Sequence, residues 1–173
     1  MTPIEYTELY DFEKIANSSS MPELANIAIS ILEKLSFFGE VHQLCGPMST
    51  GGFNQRETNI KLFTFAIEVA REKGLLIFNQ IPFQKAMVRL SSLASQGQYK
   101  QDILDFFYLP VFQSGFVKKI LFLPLWETSL GAVWERNVLK TMNNASIDEY
   151  PLAWYEEALK KAGLSHPLST ERF

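Results

Sequence analysis

The chain has 173 residues, of which 47% are hydrophobic and 20% charged, and its formal net charge is −3. This length predicts a single domain with a buried core, and an acidic chain without a basic stripe excludes a protein that binds the nucleic-acid backbone. The single cysteine, Cys45, excludes an internal disulfide framework and favours a reducing compartment. The sequence contains no apolar run of membrane-spanning length, and acidic residues interrupt the N-terminal stretch where a signal peptide is apolar. We therefore expect a cytoplasmic protein that binds neither membranes nor nucleic acids.

Residues 1–40 have the pattern of helices. One short helix is predicted over 3–16, a break over 17–20, and a second helix at Pro22, a residue that suits the first helical turn. The apolar residues of the second helix recur at helical spacing. Neither helix carries residues of evident chemistry, so this segment is interpreted as an N-terminal helical extension that packs on the domain or contacts another subunit.

Strands and helices alternate over residues 41–163. The predicted strands are 41–45, 75–79, a third that begins at Val117, and a short edge strand at 146–150. The predicted helices are 59–73, 83–93, 100–113 with a kink at Pro110, one that Thr128 or Ser129 caps, and 152–162 ended by Gly163. A polar link that contains Gly97 lies between the second and the third of these helices. Such alternation predicts parallel strands joined by helical crossovers, hence an α/β three-layer sandwich of the flavodoxin-like or Rossmann-like kind, followed by a tail over 164–173.

A glycine-rich loop, Gly46-Pro-Met-Ser-Thr-Gly-Gly52, follows the first predicted strand. It is not a P-loop, because Gly52 and Phe53 occupy the places of the lysine and the serine or threonine that this motif needs. Its amides and hydroxyls suit a sugar or a phosphate, and a tight turn without a ligand is equally consistent with it. A nearby arginine favours an anionic group. The candidate ligand contacts in this region are Gly46, Ser49, Thr50, Gly51, Gly52 and Arg56.

The helix predicted after the third strand carries Gly131 and Glu135 about one turn apart, on one face. Open α/β sheets bind their ligands where a strand ends and such a helix begins. Because Gly131 has no side chain, a ligand can approach the backbone directly above the carboxylate. We therefore take Gly131 as a candidate substrate contact and Glu135 as a candidate nucleophile.

Two aspartates, Asp102 and Asp105, lie near the start of the helix that precedes the third strand. They either favour the positive end of that helix or work with Glu135 as a carboxylate pair, in which one group attacks an anomeric carbon and the other moves a proton. His42 and His166 are the only histidines, and no acidic or cysteine cluster has the spacing of metal ligands. Neither a metal nor another cofactor is expected.

Three motifs, in this order along the chain, resemble those of the nucleoside 2-deoxyribosyltransferase family and its nucleotide N-glycosidase relatives. The loop Cys45–Gly52 resembles the family's first-strand loop, which wraps the sugar and any phosphate. Asp102 or Asp105 stands near the position of the family's proton-handling aspartate. The motif Ser129-Leu-Gly-Ala-Val-Trp-Glu135 resembles the small residue, glycine and glutamate that follow a later strand of the family. The resemblance covers about residues 41–141.

By this resemblance, Glu135 would attack C1′ of a nucleoside or nucleotide and form a covalent glycosyl-enzyme intermediate, which then passes to another base or to water. Asp102 or Asp105 would manage the proton of the departing base. Ser129 stands where transferases often carry an acid for a free 5′-hydroxyl and where nucleotide-using relatives carry serine, so a 5′-monophosphate substrate is expected. Gln80, after the second strand, is the candidate for contacts to the base.

The family's first-strand tyrosine, which helps to orient the nucleophile, has no counterpart here, because Gln43 and Leu44 occupy that region. The alternative function is therefore a non-catalytic module that binds a nucleotide on the same fold, and a third is an assembly subunit with a vestigial pocket. The family implies a homo-oligomer, a dimer or larger, whose sites a neighbour completes. The base, the sugar, and the choice between transfer and hydrolysis stay open.

Overall fold

The computed structural model describes residues 3–91 and 99–167. The helices of these ranges are α1 Pro3–Glu8, α2 Phe12–Ala16, α3 Met21–Ser36, α4 Arg56–Glu72, α5 Gln84–Ser91, α6 Tyr99–Ile103, α7 Leu109–Gln113, α8 Leu130–Met142 and α9 Leu152–Ala162. The strands are β1 Val41–Cys45, β2 Leu76–Phe78, β3 Val117–Phe122 and β4 Ser146–Glu149. Short 3₁₀ turns at Ile81–Phe83 and Trp126–Thr128 and a π-helical turn at Leu104–Tyr108 complete the regular structure.

The four strands form one sheet in the order β2-β1-β3-β4, and every neighbouring pair is parallel. The predicted α/β class, with N-terminal helices added to it, is therefore confirmed. The chain leaves β1 toward one edge of the sheet and leaves β3 toward the other. The crevice in which such sheets bind ligands thus lies between the carboxyl ends of β1 and β3.

Each face of the sheet carries its own hydrophobic core, because successive strand residues point to opposite faces. Val41, Cys45 and Phe122 belong to the core that α3 and α8 cover. Leu44 and Leu121 belong to the other core, which α4 and α9 cover. The helices that follow β1 and β3 therefore lie on opposite faces, and a gap opens between their first turns.

The N-terminal helices differ from the prediction of one helix over 3–16. Two short helices, α1 and α2, form instead, and the side chain of Asp11 caps α2 by accepting a hydrogen bond from the Lys14 N–H at 2.9 Å. Helix α3 begins as predicted after a polar break, and Ser20 caps it through the Glu23 N–H at 3.2 Å. Asp11 is a good N-cap residue, and an N-cap ends the preceding segment as well as starting the next.

The predicted kink at Pro110 takes the form of the π-helical turn. The Leu109 N–H bonds to the carbonyl of Leu104, five residues back, so the helical segment widens directly before the proline. Proline has no N–H, and its ring clashes with the carbonyl four residues earlier. The wide turn accommodates both effects and changes which side chains of this segment point inward.

Several predicted boundaries need correction. Helix α4 begins at Arg56 rather than at 59, and β2 has only three residues. The helix predicted over 83–93 is a 3₁₀ turn followed by α5. The predicted end of that helix and its Gly97 link lie outside the described residues, as does the tail beyond 167.

Candidate functional site

A cavity of about 110 Å³ opens beside the carboxyl ends of β1 and β3. Its polar lining consists of Ser49, Thr50, Gln84, Tyr108, Ser129 and Glu135. Its remaining lining consists of Gly46, Met48, Met87, Ile103, Leu104, Leu130, Gly131 and Ala132. The cavity thus lies at the switch point of the sheet, and Glu135 is the carboxyl group in its lining.

The start of α8 shapes one wall of this cavity. Leu125 adopts a left-handed conformation with φ of 67° and turns the chain after β3. Ser129 then caps α8, because its hydroxyl oxygen accepts a hydrogen bond from the Ala132 N–H at 3.3 Å. A Cβ atom at Gly131 would meet only the Ser129 Oγ, at 4.0 Å, so this position opens onto empty space. The predicted cap at Ser129 is confirmed, and Gly131 and Glu135 line the same cavity.

Glu135 is only 7% exposed. Burial penalises the charged carboxylate and raises the pKa of Glu135 to about 8, and a hydrogen bond with the Cys45 thiol opposes this rise in part. The carboxyl group is therefore mostly protonated at neutral pH in the cavity without a ligand. The residues that line the cavity, all in the described part of the chain, include no lysine, arginine or histidine that would compensate a negative charge.

Two neighbours of Glu135 were not among the predicted site residues. Cys45, the last residue of β1, contacts Glu135 from the sheet. Burial raises the pKa of the Cys45 thiol most, and the negative charge of Glu135 raises it further. Tyr108 comes from the π-helical turn, and burial, then the charges of Glu135 and Cys45, raise the pKa of its hydroxyl. A hydrogen bond with Gln84 opposes that shift. The position of Cys45 at a strand end was a usable signal in the sequence, whereas nothing local distinguishes Tyr108.

The glycine-rich loop is fastened to the rest of the protein by Asn59, which sequence reasoning also missed. The Asn59 side chain accepts from the Phe53 N–H at 2.9 Å and donates to the carbonyls of Met48 and Gly51 at 3.2 and 3.0 Å. Asn59 lies in the first turn of α4 and is buried. This one side chain therefore holds three backbone groups over residues 48–53.

The loop also binds the start of α8. The Thr50 hydroxyl oxygen accepts from the Leu130 N–H at 3.1 Å, and the Gly52 N–H donates to the Thr128 Oγ at 2.8 Å. Gly51 has φ of +72°, and a Cβ there would collide with the Thr128 backbone. Of the predicted loop contacts, Gly46, Ser49 and Thr50 line the cavity, whereas Gly51 and Gly52 serve this closure.

Two further predicted contacts lie outside the lining. Arg56 is exposed, and its guanidinium reaches the Gln84 Oε1 at 3.4 Å, which places it one side chain away from the cavity. Gln80 is 1% exposed and donates from its amide nitrogen to the Leu44 carbonyl at 2.7 Å. Gln80 therefore lies in the core at the end of the sheet, and its proposed contact with a base stays a prediction.

The structure does not bring the aspartates to Glu135. Asp102 borders a separate depression together with Ser19 and Phe106. The Asp105 carboxylate accepts a hydrogen bond from the Gln101 amide at 2.7 Å on the exposed side of the helix. Neither aspartate lines the cavity, so their role in proton transfer stays a prediction.

Wider searches add little to this description. No group of three or more histidine, cysteine or acidic side chains suited to a metal ion occurs in the described ranges. Within the same ranges no helix has both the length and the apolar character needed to cross a membrane. Comparisons with protein-family models, with curated proteins and with solved structures give no match to this chain.

Proposed function

We propose that this protein cleaves or transfers the N-glycosidic bond of a nucleoside or of its 5′-monophosphate, with Glu135 as the nucleophile. The observation that carries the proposal is the position of Glu135, a buried carboxyl that lines the switch-point cavity beside side-chain-free Gly131. A sugar can therefore reach the carboxyl group without meeting an intervening side chain. The resemblance of the Ser129–Glu135 motif to the deoxyribosyltransferase family supports the same chemistry.

In the proposed reaction a Glu135 carboxylate oxygen forms a bond to C1′ as the bond from C1′ to the base nitrogen breaks, through an oxocarbenium-like transition state. The electron pair of the broken bond leaves with the base, which takes up a proton. In the second step a water molecule or another base attacks C1′, loses its proton, and releases the Glu135 carboxylate. Two displacements on opposite faces retain the configuration of C1′.

The mouth of the cavity suits a sugar 5′ group that carries a phosphate. Ser49, Thr50 and Ser129 place hydroxyls there, next to the positive end of α8. In the first turn of α8, the Leu130 N–H donates to Thr50 and the Ala132 N–H donates to Ser129. The Gly131 N–H between them has no hydrogen-bond acceptor among the described residues. Serine at 129 adds no negative charge, which supports a nucleoside 5′-monophosphate as the substrate.

A second function, nucleotide binding without cleavage, is favoured by one observation. Burial keeps the Glu135 carboxyl mostly neutral at pH 7, and a neutral carboxyl group is a hydrogen-bond donor and a poor nucleophile. Such a group could recognise an acceptor atom of a base or sugar and leave the glycosidic bond intact.

Base release separates the two functions. Nucleosides and their 5′-monophosphates are incubated with the protein, with and without a second free base, and the products are separated by chromatography. The glycosidic function predicts release or exchange of the base, lost in Glu135→Gln and retained in the exposed control Glu127→Gln. Saturable binding with no release from any substrate would establish the binding module instead.

We further propose a homo-oligomer, as the family resemblance implies. Leu130 is 68% exposed and lines the cavity, so an apolar side chain stands open to solvent at the site where a neighbouring subunit would cover it. Sedimentation velocity of the full chain tests this: a dimer or larger species is expected, and a monomer at all concentrations would contradict it.

A further inference from the structure

The proposed reaction needs a group that stabilises the departing base, and the described cavity offers few candidates. Asp102 and Asp105 lie outside its lining. Ser49, Thr50 and Ser129 stand at the loop and the start of α8, where the 5′ end of the sugar is expected. Cys45 lies on the sheet side and is hydrogen-bonded with Glu135 itself.

Tyr108 is the remaining lining residue with an acidic proton. Its aromatic ring is held by Phe107, with centroids 5.1 Å apart at 84°, and by Phe112, with centroids 6.2 Å apart. Its hydroxyl lies near enough to Glu135 and Gln84 for both to influence its pKa, and both of these residues line the cavity. The hydroxyl is therefore held in a defined place on the wall of the site.

In the π-helical turn a tyrosine, and not an aspartate, lines the cavity. A π-helical turn adds one residue to the helical turn, and such turns often occur at functional sites. Before Pro110 it directs Leu104 and Tyr108 into the cavity, whereas Asp105 accepts a hydrogen bond on the exposed side. Tyr108 is therefore the polar residue of this turn that lines the cavity together with Glu135.

We propose that Tyr108 is a second catalytic residue, whose hydroxyl donates a hydrogen bond to the base nitrogen as it leaves C1′, with Gln84 holding the hydroxyl in place. This inference rests on the proposed function. As the bond between C1′ and the base breaks, its electron pair moves onto the base, and the Tyr108 proton passes to the basic atom of that base, which leaves a phenolate. In the second step the same oxygen takes back a proton from the water or base that attacks C1′.

The test compares two leaving groups. A natural purine nucleotide releases a base that gains negative charge and needs a donor, whereas its N7-methylated counterpart already carries a positive charge and releases a neutral base. Tyr108→Phe keeps the ring packing and removes only the donor. We expect a loss of about 100-fold or more in kcat for the natural substrate and a loss within about threefold for the methylated one.

Matched variants complete the test. Gln84→Met, which removes the partner of the hydroxyl, is expected to give a smaller loss with the same dependence on the leaving group. Asp102→Asn and Asp105→Asn test the competing assignment, in which an aspartate supplies the proton and one of these variants shows the loss that depends on the leaving group. Equal losses of Tyr108→Phe on both substrates, no loss on either, or a leaving-group-dependent loss in Asp105→Asn would overturn the role of Tyr108 while Glu135-dependent cleavage stands. Absence of cleavage by the unmodified protein on both of these purines and on every nucleoside and 5′-monophosphate of the panel would overturn the proposed function together with this inference.

Discussion

Glu135 combines two properties that oppose each other in the folded protein. The proposed reaction uses its anionic form, and its burial at 7% exposure favours the neutral form. A buried carboxyl with a raised pKa destabilises the fold at high pH, because the unfolded chain can ionise it freely. Such a loss of stability at a binding site is a common cost of function.

Replacing Glu135 with glutamine should remove this pH dependence. The pKa rises from 4.5 in the unfolded chain to about 8 in the fold, so the contribution of Glu135 to stability is fully present below pH 4.5 and is lost as the pH rises through 8. Between pH 5 and pH 8.5 this loss amounts to at most about 4 kcal/mol. Glu135→Gln should therefore melt at a higher temperature than the unmodified protein at pH 8.5, with a much smaller difference at pH 5. If the melting temperatures of the two proteins differed by the same amount at every pH in this range, the carboxyl would not be buried in this way.

Ionisation of Glu135 should also set the pH dependence of cleavage, because the rate should rise with pH while stability falls. A nucleophilic carboxylate predicts that kcat/KM rises with pH and levels off near the Glu135 pKa of about 8, because this parameter reports ionisations of the free enzyme. A nucleoside is the substrate of choice, since a phosphate would titrate within the range. A profile that falls between pH 6 and pH 8 would indicate instead that the neutral carboxyl is the active form.

At the level of elements, α8 and the glycine-rich loop form the two walls that meet above Glu135. The loop follows β1 on one side of the switch point, and α8 follows β3 on the other side. Thr50 and Thr128 join the walls through hydrogen bonds to opposite backbones. The cavity therefore depends on two elements that are far apart in sequence.

Gly131→Ala should raise stability and lower ligand affinity together. A Cβ there meets only the Ser129 Oγ at 4.0 Å, so no clash opposes the gain in helix propensity, which is about 0.5–1 kcal/mol for glycine to alanine. The added methyl group extends into the space above Glu135 and should weaken nucleotide binding, measured by calorimetry. The exposed control Lys140→Ala in the same helix should leave binding unchanged. Unaltered affinity in Gly131→Ala would place the ligand elsewhere.

Asn59→Ala should loosen the loop. It removes three hydrogen bonds to the loop backbone and leaves the Phe53 N–H and the Met48 carbonyl without this partner, whereas the Gly51 carbonyl keeps its hydrogen bond from the Asn54 N–H. A loss of about 2–3 kcal/mol in the free energy of unfolding is expected, together with faster hydrogen exchange in residues 48–53. The neighbour Thr58, whose hydroxyl donates to the Gln55 side chain at 3.1 Å, provides the control Thr58→Ala. If both variants were equally stable, the fastening role of Asn59 would be refuted.

At the level of the whole molecule, the N-terminal helices complete the sheet at its β2 edge. The Tyr6 hydroxyl accepts from the Ile77 N–H at 3.2 Å, and the Tyr10 hydroxyl accepts from the Asn79 N–H at 2.9 Å. The Arg71 guanidinium lies 3.9 Å from the centre of the Tyr6 ring and donates to the Ile77 carbonyl. These side chains take the place of a further strand and cover backbone groups that an open edge would expose.

Tyr10→Phe should therefore cost stability although it keeps the ring. The variant leaves the Asn79 N–H unpaired, for which a loss of about 1–3 kcal/mol is expected in denaturant unfolding. Tyr155 is a matched control, because it is also buried and has no hydrogen bond to its hydroxyl within the described part of the chain. Tyr155→Phe should be nearly neutral, and an equally small effect of Tyr10→Phe would argue against the edge contact.

Much of this architecture follows from local patterns in the sequence. Strand β1 and helix α9 have the predicted bounds, and Ser129 caps α8 as predicted. Burial periodicity, cap residues and a terminal glycine are each set by a few neighbouring residues. The clustering of Glu135 with the glycine-rich loop followed from the rule that parallel strands bring their carboxyl ends together.

The rest of the site depends on contacts that local patterns do not encode. The helical segment before Pro110 contains a π-helical turn, and Tyr108 rather than Asp105 of that turn lines the cavity. Gly52 lies in a loop whose sequence suits a phosphate, but its N–H donates to the Thr128 hydroxyl, which is 76 residues away in the chain. Asn59 looks like an ordinary polar residue of a helical turn until the loop folds back on it.

If Glu135 forms a covalent bond to a sugar, the glycosylated protein can be trapped and identified by mass spectrometry. The protein is incubated with a nucleotide that carries fluorine at C2′, which slows both displacements, then denatured in acid and digested. We expect the peptide that contains Glu135 to gain the mass of the glycosyl group, and the same peptide of the Glu135→Gln variant to keep its original mass. Base release without a glycosyl adduct on that peptide, or an adduct on a different residue, would contradict the account.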